Sequence, residues 1–195
     1  MLQRIAVYCS ASDGVPEVYN AAAYRLGQLL AEAGIEAVYG DGGIGLMKHL
    51  AEGVLAAGGK ITGVIPRFMV EQGWNNPRST QTIVTESMHE RKGTIIRMVD
   101  AMVALPGGIG TMEELFECLT WKQLGLHDKP IVILNTAGYF DPILAALDKM
   151  VAERFMRPVH RDAMFTVVTR PEDVLPAIHA AQSWGEHMRS QARTI

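Results

Sequence analysis

The chain of 195 residues carries 18 basic and 21 acidic side chains, a formal charge of -3, and is 48% hydrophobic. That balance suits one globular domain and argues against a nucleic-acid polymer as partner, because displacing counterions from a phosphate backbone takes a concentrated basic face. A single phosphate stays within reach, since one arginine and a few backbone amides suffice for it.

In chain order, the β-branched run at 5–9 predicts a strand, and a helix opening with Pro16 covers 16–33. Residues 36–39 predict a second strand, 45–57 a helix stopped by Gly58 and Gly59, and 61–65 a third strand. Residues 66–78 read as a looser segment with a turn at Asn75-Asn76-Pro77. Beyond it come a strand at 82–85, a helix at 88–98, a strand at 101–105, a helix at 111–124 and a strand at 130–134. A helix at 142–155, a strand at 165–168 and a helix at 171–181 complete a single domain over 1–183, with 184–195 as a polar, frayed tail. This alternation predicts an α/β fold with a Rossmann-like, mostly parallel central sheet and helices on both faces. Such sheets bind ligands beyond the carboxyl ends of their strands, so 10–14, 40–46 and 106–114 are the segments to inspect.

The first strand begins too early for a signal sequence, and no apolar run approaches the roughly 20 residues of a membrane span. Two cysteines, Cys9 and Cys118, make neither a disulfide framework nor a zinc cluster. The expected address is therefore the cytoplasm, away from the membrane.

Pro106-Gly107-Gly108-Ile109-Gly110-Thr111 is the strongest local signal. Its glycines bring backbone amides close to a bound group, and the helix that follows favours negative charge at its start. The alternative is a tight turn with no ligand. Gly40-Asp41-Gly42-Gly43-Ile44-Gly45 is a second such loop, weak as a dinucleotide fingerprint because it follows the second strand and carries a carboxylate. Neither loop ends in the Gly-Lys-Ser/Thr of a nucleoside triphosphatase. In His89-Glu90-Arg91-Lys92, two bases open a helix, which suits a phosphate in the same crevice or a solvated helix start. Thr111-Met112-Glu113-Glu114 matches a capping box, so Glu114 reads either as a cap or as a carboxylate one turn from a bound phosphate. Glu117 lies one turn further on nearly the same face.

Together these residues resemble a known family. Residues 106–114 are similar to the Pro-Gly-Gly-x-Gly-Thr-x-x-Glu signature of the "Lonely guy" cytokinin riboside 5'-monophosphate phosphoribohydrolases, long mislabelled as lysine decarboxylases. Met88-His89-Glu90-Arg91-Lys92 resembles the family's second block, and 39–47, 120–125 and 138–142 resemble further segments. The resemblance implies hydrolysis of the N-glycosidic bond of AMP or N6-substituted 5'-monophosphates, without a nicotinamide, flavin or metal, by a homodimer. It implies Arg91 and Glu114 as the catalytic pair. Lys92, Thr120, Ser12, Gly42 and Gly43 would touch substrate, and Gly107, Gly108, Ile109, Gly110 and Thr111 would hold it by the phosphate loop. Glu113, Glu117, Glu71 and Asp41 would stand behind them. Asp41 and Gly43 depart from the usual glycine and serine, and Ser10-Ala11-Ser12 from Gly-Ser-Ser. The alternative from another class is a nucleotide or molybdenum-cofactor carrier without turnover. An NAD-dependent oxidoreductase is a poorer alternative, because the first strand lacks the fingerprint.

Overall fold

The computed structural model describes residues 2–185. Its strands are β1 (Arg4–Tyr8), β2 (Glu36–Tyr39), β3 (Ile61–Pro66), β4 (Gln81–Thr85), β5 (Ala101–Ala104), β6 (Ile131–Leu134) and β7 (Thr166–Val168). They form one sheet in the order β4-β3-β2-β1-β5-β6-β7, with every neighbouring pair parallel. The chain winds outward from β1 to β4, then crosses back to lay β5 on the other side of β1. The carboxyl ends of β1 and β5 are thus the topological switch point, where two loops diverge and leave a crevice.

Helices α1 (Glu17–Glu32), α2 (Gly45–Ala56) and α8 (Val174–Ala180) cover one face, while α4 (Met88–Met98), α5 (Ile109–Gln123) and α6 (Asp141–Ala152) cover the other. Successive strand residues point to opposite faces, so Ile5 and Val7 pack with α1 and α2 whereas Ala6 and Tyr8 pack with α4 and α5. Burial on both faces explains why these strands read as unbroken apolar runs. In α1 the buried Ala22, Ala23, Leu26 and Leu30 recur at helical spacing, and Glu17 in the first turn complements the helix dipole.

Several expectations shift. The looser segment contains a short helix, α3 (Arg67–Glu71), and another, α7 (Pro158–Ala163), opens on a proline in what read as a connection. The helix expected over 142–155 stops at Ala152, with Arg154 in the left-handed region at φ 66°. Residue 184 does not belong to a polar tail. The Trp184 ring is fully buried in the core on the α4 and α5 side of the sheet, 5.7 Å from the His160 ring of α7, and Asp128 accepts from its backbone N–H at 2.5 Å. One large ring removes enough apolar surface from water to hold a polar segment in place. The rest of that tail, 186–195, lies outside the described residues. Among the described residues no helix is long and apolar enough to cross a membrane.

Candidate active site

Three loops meet beyond β1 and β5. The Ser10 N–H donates to the Pro106 carbonyl at 3.2 Å, and the Met47 N–H donates to the Ser10 carbonyl at 3.1 Å. The Tyr139 hydroxyl donates to the Gly107 carbonyl at 2.7 Å from the far side. At Gly107 a side chain is impossible without displacement, because a Cβ would lie 2.1 Å from the Thr111 hydroxyl oxygen. Helix α5 begins with Gly108 as N-cap and no side chain capping it. The amides of its first turn, from Ile109 to Thr111, have no intrahelical acceptor and carry the positive end of the dipole. Cβ atoms at Gly108 and Gly110 would meet only open space. An anion fits that start.

The helix starts two residues earlier than expected, so Thr111 is not its cap and the capping-box reading of Glu114 fails. That pattern is used in α4 instead. Ser87 Oγ accepts from the Glu90 N–H at 3.1 Å, and Glu90 Oε2 accepts from the Glu86 N–H at 2.8 Å. Anchored so, α4 aims Arg91 inward, where it is only 5% exposed. Its Nη2 donates to Glu114 Oε1 at 3.2 Å and its Nη1 faces Met88 Sδ at 3.6 Å, while Nε has no protein partner. Gly40 makes the seat, since a Cβ there would lie 2.1 Å from Arg91 Nη2. Burial pushes the Glu114 carboxyl up to about 7 against the opposing pull of Arg91. At neutral pH this group both gives and takes a proton at small cost.

Arg91 and Glu114 line a cavity of about 260 Å³ with Ser10, Ser12, Met47, Gly108, Gly110, Thr111 and Glu113. Through Ala11, Met47 and Arg91 it adjoins a larger, more apolar chamber of about 490 Å³, walled by Gly42, Gly43, Met69, Trp74, Asn75 and Pro77. Through Ser10, Ser12 and Gly108 it adjoins a recess of about 270 Å³ bounded by Gly107, Tyr19 and Tyr139.

Other expected residues stand elsewhere. Lys92 is buried outside the cavity lining, its amine held by Glu113 and, at 3.0 Å, by Glu117, so this triad ties α4 to α5. Burial works against the Lys92 charge, but those two carboxylates prevail and raise its pKa. Thr120 is exposed, and its hydroxyl donates to the Phe116 carbonyl of its own helix at 2.7 Å. Glu71 ends α3 exposed to solvent, and the Ile109 side chain also points outward. Asp41 turns its carboxylate away from the cavities to Ser79 and Thr82. Sequence reasoning did not single out Met69 and Trp74. The available signal was a tryptophan following Gly73 in an otherwise polar loop.

Comparison with known proteins shows the family of the chain. A family model described as "Possible lysine decarboxylase" matches residues 47–178. A probable cytokinin riboside 5'-monophosphate phosphoribohydrolase of Oryza sativa subsp. japonica is 44% identical over 169 residues, covering 87% of this chain and 76% of its own. A cytokinin riboside 5'-monophosphate phosphoribohydrolase of Arabidopsis thaliana is 42% identical over 159 residues, 82% of this chain and 70% of its own. Among solved structures, the molybdenum cofactor binding protein of Rippkaea orientalis superposes with a TM-score of 0.70 at 20% identity, over 92% of this chain and 97% of that one. At that identity the likeness speaks for the fold alone. Sequence match and site geometry together place the chain in the lysine decarboxylase-like family of cytokinin riboside 5'-monophosphate phosphoribohydrolases.

Proposed function

We propose that the protein hydrolyses the N-glycosidic bond of AMP or N6-substituted adenosine 5'-monophosphates, releasing the free base and ribose 5-phosphate. One observation carries the reading. A buried carboxyl near neutrality, Glu114, lies 3.2 Å from the Arg91 guanidinium in a cavity that also receives the uncapped start of α5. The 5'-phosphate sits on the amides of Ile109, Gly110 and Thr111, and its binding energy positions C1' beside Glu114. As the bond from C1' to the base nitrogen breaks, its electron pair leaves with the base and C1' gains oxocarbenium character. The Glu114 carboxylate offsets that charge, takes a proton from the water that adds to C1', and returns it to the nitrogen of the departing base, which is released neutral. Arg91, with Nε open, donates to substrate oxygens and keeps Glu114 ionised more readily than burial alone allows.

The protein acts in this reading as a homodimer in the cytoplasm. Exposed apolar side chains at the end of α5 and just beyond it, Leu124 and Leu126, support self-association, and two buried free cysteines suit a reducing compartment. A monomeric mass in light scattering at micromolar concentration removes the dimer. Chromatography of AMP, N6-isopentenyl-AMP, GMP, CMP and their nucleosides tests the reaction. Base is expected from adenosine-type 5'-monophosphates and little from nucleosides, with R91A weakening both binding and turnover. Tight AMP binding without base release from any nucleotide identifies a carrier instead.

A further inference from the structure

Asp41 is fully buried, stands at φ 60°, and is part of neither cavity. Its carboxylate accepts from Ser79 Oγ at 2.5 Å and Thr82 Oγ1 at 3.1 Å, and Ser79 Oγ is also 2.8 Å from the Tyr39 hydroxyl. The Asp41 carbonyl accepts from the Asn76 N–H at 2.7 Å, and the next residue, Gly42, forms an antiparallel bridge with Asn75. Space for the carboxylate comes from β3, where a Cβ at Gly63 would lie 1.9 Å from Asp41 Oδ1. A site needing only a left-handed turn would take glycine, which suits that backbone and buries no charge. A carboxylate that must be desolvated and given hydroxyl donors has a use beyond the turn. One donor, Ser79, closes the 73–79 segment, whose Trp74, Asn75 and Pro77 wall the 490 Å³ chamber, and the other, Thr82, lies just beyond it on β4. On the near side its loop includes Gly40, against which Arg91 packs.

We infer that Asp41 is a positioning residue: it clasps the 73–79 segment to the loop that seats Arg91, and so sets how closely the apolar chamber grips the base end of a nucleotide. The identity of that occupant rests on the proposed function. The phosphate end is held elsewhere, on α5, so the two ends of the ligand respond separately to loss of the clasp.

The test compares D41G, which relieves the backbone and removes the clasp, with D41N, which tolerates the same backbone and keeps an oxygen acceptor. In D41G the KM for AMP should rise about tenfold with kcat within about twofold of wild type, and D41N should recover most of the loss. In an E114Q background, equilibrium dialysis should show the same loss for AMP and an unchanged Kd for ribose 5-phosphate, which lacks the base. A purely structural role lowers the melting temperature without separating the two ligands. Equal weakening of AMP and ribose 5-phosphate, or no weakening of either, overturns the inference. If D41G does not fold, the S79A/T82V double variant removes the clasp's donors and is read the same way. Wild-type protein that releases no base, yet loses AMP selectively on D41G substitution, removes the reaction and keeps the clasp. Failure of E114Q to bind AMP at all overturns both.

Discussion

Helices α4 and α5 begin at the same edge of the sheet, beyond β4 and β5, but their first turns are completed in different ways. The α4 start is closed by its own side chains, Ser87 and Glu90, which satisfy the amides of Glu90 and Glu86. The α5 start is built of glycine and backbone, with Gly108 as an N-cap that offers no side chain. With its Glu90 amide given to Ser87, α4 contributes to the cavity through a side chain, Arg91. An open start keeps its donors for a ligand, so α5 contributes backbone amides and, one turn later, Glu114. Division of labour between the two helices follows from which amides are already satisfied.

The sharpest attack on this comparison is E114Q, which leaves the α5 start intact and removes the charge. Turnover should fall about 10²-fold or more while nucleotide binding changes little, and the wild-type rate should climb as pH rises through about 7. Single-turnover base release across pH measures both, and equal rates in the two proteins would remove Glu114 from the chemistry.

Burial of Glu114 also has a signature in stability. Its pKa is raised from 4.5 to about 7, so the folded state prefers the neutral form. That contribution is fully present below about 4.5 and is lost as pH rises through about 7. Between pH 4 and pH 8 wild type should therefore lose on the order of 2 kcal/mol relative to E114Q in urea unfolding. A constant difference between the two proteins would show that Glu114 ionises without resistance.

A methyl group at the open start should separate binding from folding. Because a Cβ at Gly110 meets nothing in the protein, G110A should fold and gain about 0.5–1 kcal/mol from the stiffer chain. It should nevertheless bind 5'-monophosphates about tenfold more weakly, since the methyl group enters the space kept for phosphate. A stabilised variant with unchanged KM for AMP would remove the α5 start as the phosphate seat.

The smallest effect belongs to the closed start. Removing the cap with S87A should cost about 1 kcal/mol of stability by thermal melting and leave kcat within about twofold. A drop in kcat as large as that of E114Q would show that α4 capping reaches the chemistry through Arg91.

The parallel sheet and its helices were legible from local pattern. The apolar runs at 5–9 and 101–105 and the apolar spacing from Ala22 to Leu30 need no tertiary information, because strand and helix periods are properties of neighbouring residues. The loop at 106–111 was readable for a similar reason, glycines placed at a strand-to-helix junction, whereas local pattern left Arg91 and Glu114 each with two readings and only the family resemblance joined them as a pair. Other features were decided across the fold. A capping pattern occurs at both 87–90 and 111–114, and only the path of the chain beyond β5 decides that the second is displaced by a helix starting at Ile109. Lys92 looked as available to substrate as Arg91, yet the packing of α4 on α5 gives its amine to Glu113 and Glu117. Trp184 read as part of a polar tail until Asp128, 56 residues earlier, fixed its backbone and the core took its ring. A sequence determines which groups a chain carries and the local period at which they recur. Which donors remain unspent, and which carboxylate meets which cation, depends on pairings between distant segments that exist only once the sheet has brought them together.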